Sequence, residues 1–152
     1  DPQNAWEKAL TAMACVQGRL DLMVNLGMFE TGLAVSYAQL LMDAELFGFL
    51  KRFARGMEAG EEHVAKDIIN KVGSWGAYLE EEHTLRHFRE ENWYPELSCR
   101  KLFDPWRKEG ARDIVQVAHA RAVQMLQEER KPYIDARTKK DIEKIIEREF
   151  AS

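Results

Sequence analysis

The chain has 152 residues, the length of one ordinary domain, with 45% apolar and 32% charged side chains. That is the balance of a soluble globular protein with enough length to build a core. Its 22 basic and 26 acidic residues leave a net charge of −4, which argues against a nucleic-acid footprint built from clustered Lys and Arg.

Cys15 and Cys99 lie far apart and form no C-x-x-C pair. The expectation is a reduced, cytoplasmic compartment with both thiols structural. No apolar run approaches a membrane span, and the opening D-P-Q-N-A-W-E-K carries no signal-peptide pattern.

In chain order, Asn4 to Gly18 reads as a helix. Trp6, Ala9, Leu10 and Met13 share a face, Asn4 caps the start and Gly18 stops it. Leu22–Leu26 (L-M-V-N-L) is a short apolar run closed by Gly27. Its shape suits a buried strand, although periodicity alone does not separate so short a run from a helix. A second helix, Ser36 to Arg55, carries Tyr37, Leu40, Leu41, Ala44, Phe47 and Leu50 on one face, widened by Leu46, Phe49 and Phe53. So broad a face expects neighbours on more than one side.

Glu61–Val72 is predicted as one shorter helix ended by Gly73, with Val64, Ala65, Ile68 and Ile69 along its face. A glycine-bracketed stretch, G-S-W-G-A-Y-L-E-E-E, leads into a helical turn or two through Leu85 and Phe88, broken by Trp93–Pro95. Asp104-Pro105 reads as a cap followed by proline at the first helical position. The helix it starts carries Trp106, Ile114, Val117, Ala118 and Met125 inward until Pro132 stops it. The last helix, Thr138 to Phe150, has Ile142, Ile145, Ile146 and Phe150 on one face and mixed charges elsewhere.

The pattern is mainly α, with one candidate strand whose backbone hydrogen bonds have no evident destination. Either Leu22–Leu26 is not a strand, or its partner strands belong to a part of the protein outside this chain.

Val72–Arg89 concentrates the titratable chemistry. His83 and His87 stand four apart, so a helix puts both imidazoles on one face, as a metal site requires. Thr84 stands where a zinc protease needs glutamate, so H-T-L-R-H is not that motif. No metal ligand set is assigned, the common outcome being one histidine bonded to a backbone carbonyl and the other in water.

Gly27, Phe29 and Glu30 form a second candidate. If Leu22–Leu26 were a barrel strand, this loop would leave its C-terminal end, where that fold keeps active sites, and Asn25 would point toward the barrel mouth. The plainer alternative is a tight connection with Glu30 favoured by a helix dipole. Asp43 and Glu45, two apart on a helix, point different ways and do not make an acid/base pair; one of them is expected to anchor an arginine. Trp75, Tyr78, Phe88, Trp93 and Trp106 offer a possible aromatic box for a methylated ammonium, but such residues more often form core.

The order G-M-F-E-T-G-L-A-V-S-Y-A-Q-L-L-M-D-A-E-L, then V-G-S-W-G-A-Y-L-E-E-E-H-T-L-R-H-F-R, then W-Y-P-E-L-S-C-R, resembles the C-terminal part of the trimethylamine:corrinoid methyltransferase family. The likeness runs from Asp1 to about Arg130 and loosens after Pro132. It implies a (β/α)8 TIM-barrel enzyme that moves a methyl group from trimethylamine, or from a related methylated or quaternary amine, to the cobalt of a separate corrinoid protein.

On that resemblance this chain is the helical C-terminal portion of the barrel enzyme, with at most one or two short strands. Residues 1–57 supply the last helix-strand-helix units and 58–152 a helical extension. The family's catalytic position, pyrrolysine in the trimethylamine members, lies upstream of Asp1, so no catalytic residue is expected here and the isolated chain is expected to be inactive. Asn25, Gly27, Phe29, Glu30, His83 and Thr84 are the implied substrate-binding residues. Cobalamin is expected on the corrinoid partner, since no D-x-H-x-x-G motif occurs here. A homo-oligomer with neither nucleic-acid nor membrane partners completes the reading. Its rivals are a free-standing helical interaction module and a small metal-dependent hydrolase using His83, His87 and a nearby glutamate.

Overall fold

The computed structural model describes residues 1–128 and 133–150; Pro132, the expected stop of a helix, lies outside the described residues. Among them the chain is mainly helical: α1 (Pro2–Gln17), a hairpin of β1 (Met28–Phe29) and β2 (Ala34–Val35), then α2 (Tyr37–Arg55), α3 (Glu61–Val64), α4 (Lys66–Val72), α5 (Glu82–Glu91), α6 (Phe103–Lys108), α7 (Ile114–Gln127) and α8 (Ala136–Phe150). Two compact units are distinguished, Asp1–Ala122 and Val123–Ser152. None of the described helices is long and apolar enough to cross a membrane.

α1 starts one turn earlier than its pattern suggests. Asp1, not Asn4, is the cap: its carboxylate accepts the Asn4 amide at 3.0 Å, with Pro2 in the first turn. Proline there removes only an amide that has no partner in the helix. Gly18 ends the helix as expected. The inward face is also different. Asn4, Lys8, Ala12 and Cys15 lie toward the interior, whereas Trp6 and Leu10 are 60% and 70% exposed. Polar side chains won the packed face because α2 presents polar partners there.

Leu22–Leu26 is not a strand. It runs irregularly, with Leu22 and Val24 exposed, and the two-stranded antiparallel sheet forms just after it, pairing Met28 with Val35 and Phe29 with Ala34. Without a neighbouring strand, an extended segment has no ladder for its amides and carbonyls. The short sheet closes on α2: the Ser36 amide donates to the Gly27 carbonyl at 2.9 Å, and the Ser36 hydroxyl caps the Gln39 amide.

α2 packs on α1 and buries Gln39, Asp43 and Leu50. Tyr37, Leu40, Phe49 and Phe53 of its broad apolar face remain exposed. Gly48 lets Trp93 lie against the helix, since a Cβ there would meet the indole Nε1 at 3.1 Å, and Phe49 meets the same indole edge-on at 5.5 Å.

Glu61–Val72 is two helices. Ala65, left-handed at φ 50, ends α3 and starts α4. The helix expected to run on from Asp104 is likewise two: Leu102 precedes α6, which stops at Lys108, and Gly110 at φ 100 turns the chain. α7 then begins with a capping box, Asp113 accepting the Gln116 amide at 2.8 Å while the Gln116 side chain accepts the Asp113 amide at 3.1 Å. In the second unit, the Asp135 carboxylate accepts the Thr138 hydroxyl and amide at the start of α8; those bonds hold its carboxyl below the usual range.

The buried apolar residues among those described are Ala12, Leu50, Ala118 and Ala122. Trp75 is 100% exposed, Cys99 is exposed and Cys15 half-buried. So Trp75 is no core residue, and the Cys99 thiol has no packing role.

Candidate functional site

The Asn25–Glu30 loop is held to α1 and α2 by a buried polar network. Asp43, 4% exposed, accepts the Gly27 amide at 2.7 Å, the Gln39 side-chain amide at 2.6 Å and Lys8 Nζ at 2.5 Å. Gln39 Oε1 in turn accepts Asn4 Nδ2 at 3.0 Å. A buried carboxylate is tolerated only when its lone pairs are filled in this way. Asp43 therefore anchors a lysine and a loop rather than an arginine.

Gly27 is irreplaceable in two respects. Its φ is +74°, and a Cβ would come within 2.9 Å of Leu40 Cβ. Asn25 (φ 70), Glu30 (φ 48) and Thr31 (φ 56) are also left-handed, a conformation costly for side chains other than Gly, Asn and Asp. Strain of this kind gathers where surrounding structure over-determines the backbone, often at ligand-binding loops. Phe29 is 36% exposed with Lys8 Nζ 5.8 Å from its ring centre, while Asn25 and Glu30 face solvent.

Glu45 builds the next feature. Its carboxylate accepts the amides of Glu96, Leu97 and Ser98 at 2.8, 2.5 and 3.0 Å and the Ser98 hydroxyl at 2.5 Å. Burial pushes the carboxyl up, but the Ser98 hydroxyl and the three amides outweigh it and hold Glu45 below its ordinary value. This fixes the W-Y-P-E-L-S segment over α2. The result is a cleft of about 670 Å³ walled by Lys8, Asp43, Glu45, Phe49, Trp93 and Arg100. The Arg100 guanidinium stands 5.9 Å from the Trp93 ring.

His83 and Thr84 belong to a different place. Both are half-buried on α5, and the anchor of His83 is α3: His83 Nε2 donates to the Glu62 carbonyl at 2.7 Å. His87 Nε2 lies 3.3 Å from the Glu62 carboxylate, as does Arg86. The His83 and His87 rings are 4.5 Å apart, and His63 joins them 5.1 Å from His87. The structure thus brings Gly27 and Phe29 together with Lys8 and Asp43, and His83 together with His87, His63 and Glu62. The two groups rest on different elements. No three His, Cys, Asp or Glu side chains among the described residues converge on a metal position.

Lys8, Gln39 and Asn4, the last read only as a helix cap, escape the sequence reading as site residues, as do Glu62 and His63. The signal was there for the first three: Asn4/Lys8 and Gln39/Asp43 are polar pairs four apart on otherwise apolar helices, the spacing that stacks side chains on one face.

These features describe a mainly helical body with a strained, buttressed loop beside an aromatic-lined cleft. Its family follows from comparison. Residues 1–152 match the trimethylamine methyltransferase (MTTB) family, and the chain belongs to it. It is 32% identical over 127 residues to trimethylamine methyltransferase MttB of Desulfitobacterium hafniense, covering 84% of this chain and 25% of that protein. It is 34% identical over 136 residues to a glycine betaine methyltransferase of the same species, covering 89% and 28%. With trimethylamine methyltransferase MttB of Methanosarcina barkeri it shares 29% over 151 residues, covering 97% and 30%. The chain spans between a quarter and a third of the length of these relatives.

Proposed function

We propose that this chain forms the C-terminal part of a methyltransferase that transfers a methyl group from trimethylamine, or from a related methylated or quaternary amine such as a betaine, to a corrinoid protein. The observation that carries the reading is family membership over all 152 residues, combined with coverage of only 25–30% of the relatives. Exposed apolar residues support it: Leu20, Leu22, Val24, Leu33, Phe49 and Phe53 are at or above 46% exposed, more apolar surface than a self-sufficient chain normally leaves in water. The parent is read as a (β/α)8 barrel, with residues 1–57 among its last barrel units and 58–152 a helical extension.

In that enzyme Asn25, Gly27, Phe29 and Glu30 border the substrate end, and His83 and Thr84 help to close it. A quaternary ammonium is held by aromatic faces and carboxylates, since it has no N–H to donate. The corrinoid, as methyl acceptor, belongs to a partner protein, as the resemblance implies. The catalytic position lies outside this chain, and the isolated chain is inactive.

The test is a chimera in which residues 1–152 replace the matching segment of the Desulfitobacterium hafniense trimethylamine methyltransferase. Methyl transfer to the relative's corrinoid protein is expected in the chimera and not with the 152-residue chain alone. A folded but inactive chimera, or transfer by the isolated chain, would overturn the reading.

A further inference from the structure

Three histidines cluster between α3 and α5, and two of them, His83 and His87, carry the signature of metal ligands. A carbonyl and a carboxylate only accept hydrogen bonds. His83 Nε2, 2.7 Å from the Glu62 carbonyl, and His87 Nε2, 3.3 Å from the Glu62 carboxylate, therefore both carry the proton in the neutral imidazole. Each ring is left with its lone pair on Nδ1. Metal-binding histidines almost always hold their second nitrogen in this manner, donating it to a backbone carbonyl or a carboxylate that fixes tautomer and ring orientation. One residue, Glu62, supplies both kinds of acceptor here.

A second, independent observation is His87 Nδ1 itself, the one buried side-chain nitrogen or oxygen among the described residues with no hydrogen-bond partner. Buried polar atoms are ordinarily satisfied, so a nitrogen whose lone pair has no partner is open to a ligand. The spacing fits as well. Two imidazoles on one ion, each nitrogen about 2.0–2.1 Å from it, must stand with their rings side by side. The His83 and His87 rings are 4.5 Å apart. His63 is turned toward Glu58, its Nε2 3.5 Å from that carboxylate, and is not part of the set.

We propose that His83 and His87 chelate a divalent transition-metal ion of the zinc or nickel class through their Nδ1 atoms, with Glu62 orienting both rings and water completing the coordination. Imidazole nitrogen suits ions of this hardness rather than Mg²⁺ or Ca²⁺. The site ties α5 to α3 and does not depend on the methyltransferase reading.

Calorimetric titration of Zn²⁺, and separately Ni²⁺, into the 152-residue chain tests the site. One ion per chain is expected. His83→Ala and His87→Ala should each abolish that stoichiometric binding, and Glu62→Gln should weaken it about tenfold. His119→Ala, which alters the exposed histidine of α7, should leave it unchanged. Zinc-edge X-ray absorption on the wild-type chain guards against misfolded variants: two imidazole ligands support the proposal, and their absence overturns it. Equal affinity in the wild type and both histidine variants, or no binding at all, would also overturn it.

Discussion

The Gly27 amide donates to the Asp43 carboxylate at 2.7 Å, joining the tightest turn of the Asn25–Glu30 loop to the buried face of α2. The same carboxylate neutralises Lys8 of α1, so one side chain ties together three separate stretches of chain. Asp43→Ala leaves an ammonium and two amide donors without their acceptor, the kind of change that costs about 3–5 kcal/mol. Urea denaturation should show that loss as a lowered midpoint. A midpoint within experimental error of wild type would mean that the network does not hold the loop.

Gly27→Ala probes the other side of the same turn. It forces a side chain into φ +74° and against Leu40, a combination expected to cost at least about 1–2 kcal/mol. In the chimera described above it should also weaken amine binding, because the loop carrying Phe29 and Glu30 shifts.

Glu45 gives a pH-dependent prediction. Its folded value lies below the ordinary 4.5, so its contribution is complete above that pH and is lost as pH falls through the lower folded value. Glu45→Gln should therefore destabilise the chain at neutral pH by about 1–2 kcal/mol. The gap to wild type should shrink as pH drops below 4.5. Urea midpoints at neutral and acidic pH measure both halves; a gap that widened in acid would contradict the assigned bonds.

Ala65 sits at φ 50 between α3 and α4, a conformation that costs an L-residue roughly 1–2 kcal/mol and glycine almost nothing. Ala65→Gly should raise the melting temperature, the strain relieved exceeding the added chain entropy. A lowered melting temperature would show that the two helices join differently.

Glu91 clamps the end of α5 to α2: its carboxylate pairs with Arg52, and with Arg55 at 2.7 Å, while its carbonyl accepts Arg52 Nε at 2.9 Å. Glu91→Gln should cost about 1–2 kcal/mol, as expected for partly buried, charge-assisted bonds, and speed amide exchange in α5. Unchanged exchange there would assign the clamp to the backbone carbonyl alone.

The exposed apolar residues of α1 and α2 predict concentration-dependent self-association of the isolated chain. Sedimentation at rising concentration should show it; a monomer throughout would count against both the homo-oligomer and the idea that these faces await a neighbour.

Much of the helical content was written in local signals. Gly18, Ser36 and Gly73 mark helix ends, and the i, i+4 step of His83 and His87 places their rings together, because capping and helical spacing act within a few residues of chain. The family was legible too, in the residue order of three segments. What local pattern did not reveal was set by contacts between distant residues. Asp43 filling its lone pairs from Lys8 and Gly27, 35 and 16 positions away, turned the polar side of α1 inward and left Trp6 and Leu10 in water. Leu22–Leu26 has strand-like side chains, yet a strand exists only where another backbone completes its hydrogen bonds. Whether a carboxylate is buried, or an extended run becomes a sheet, depends on which partner the fold delivers, and tertiary structure alone supplies that partner.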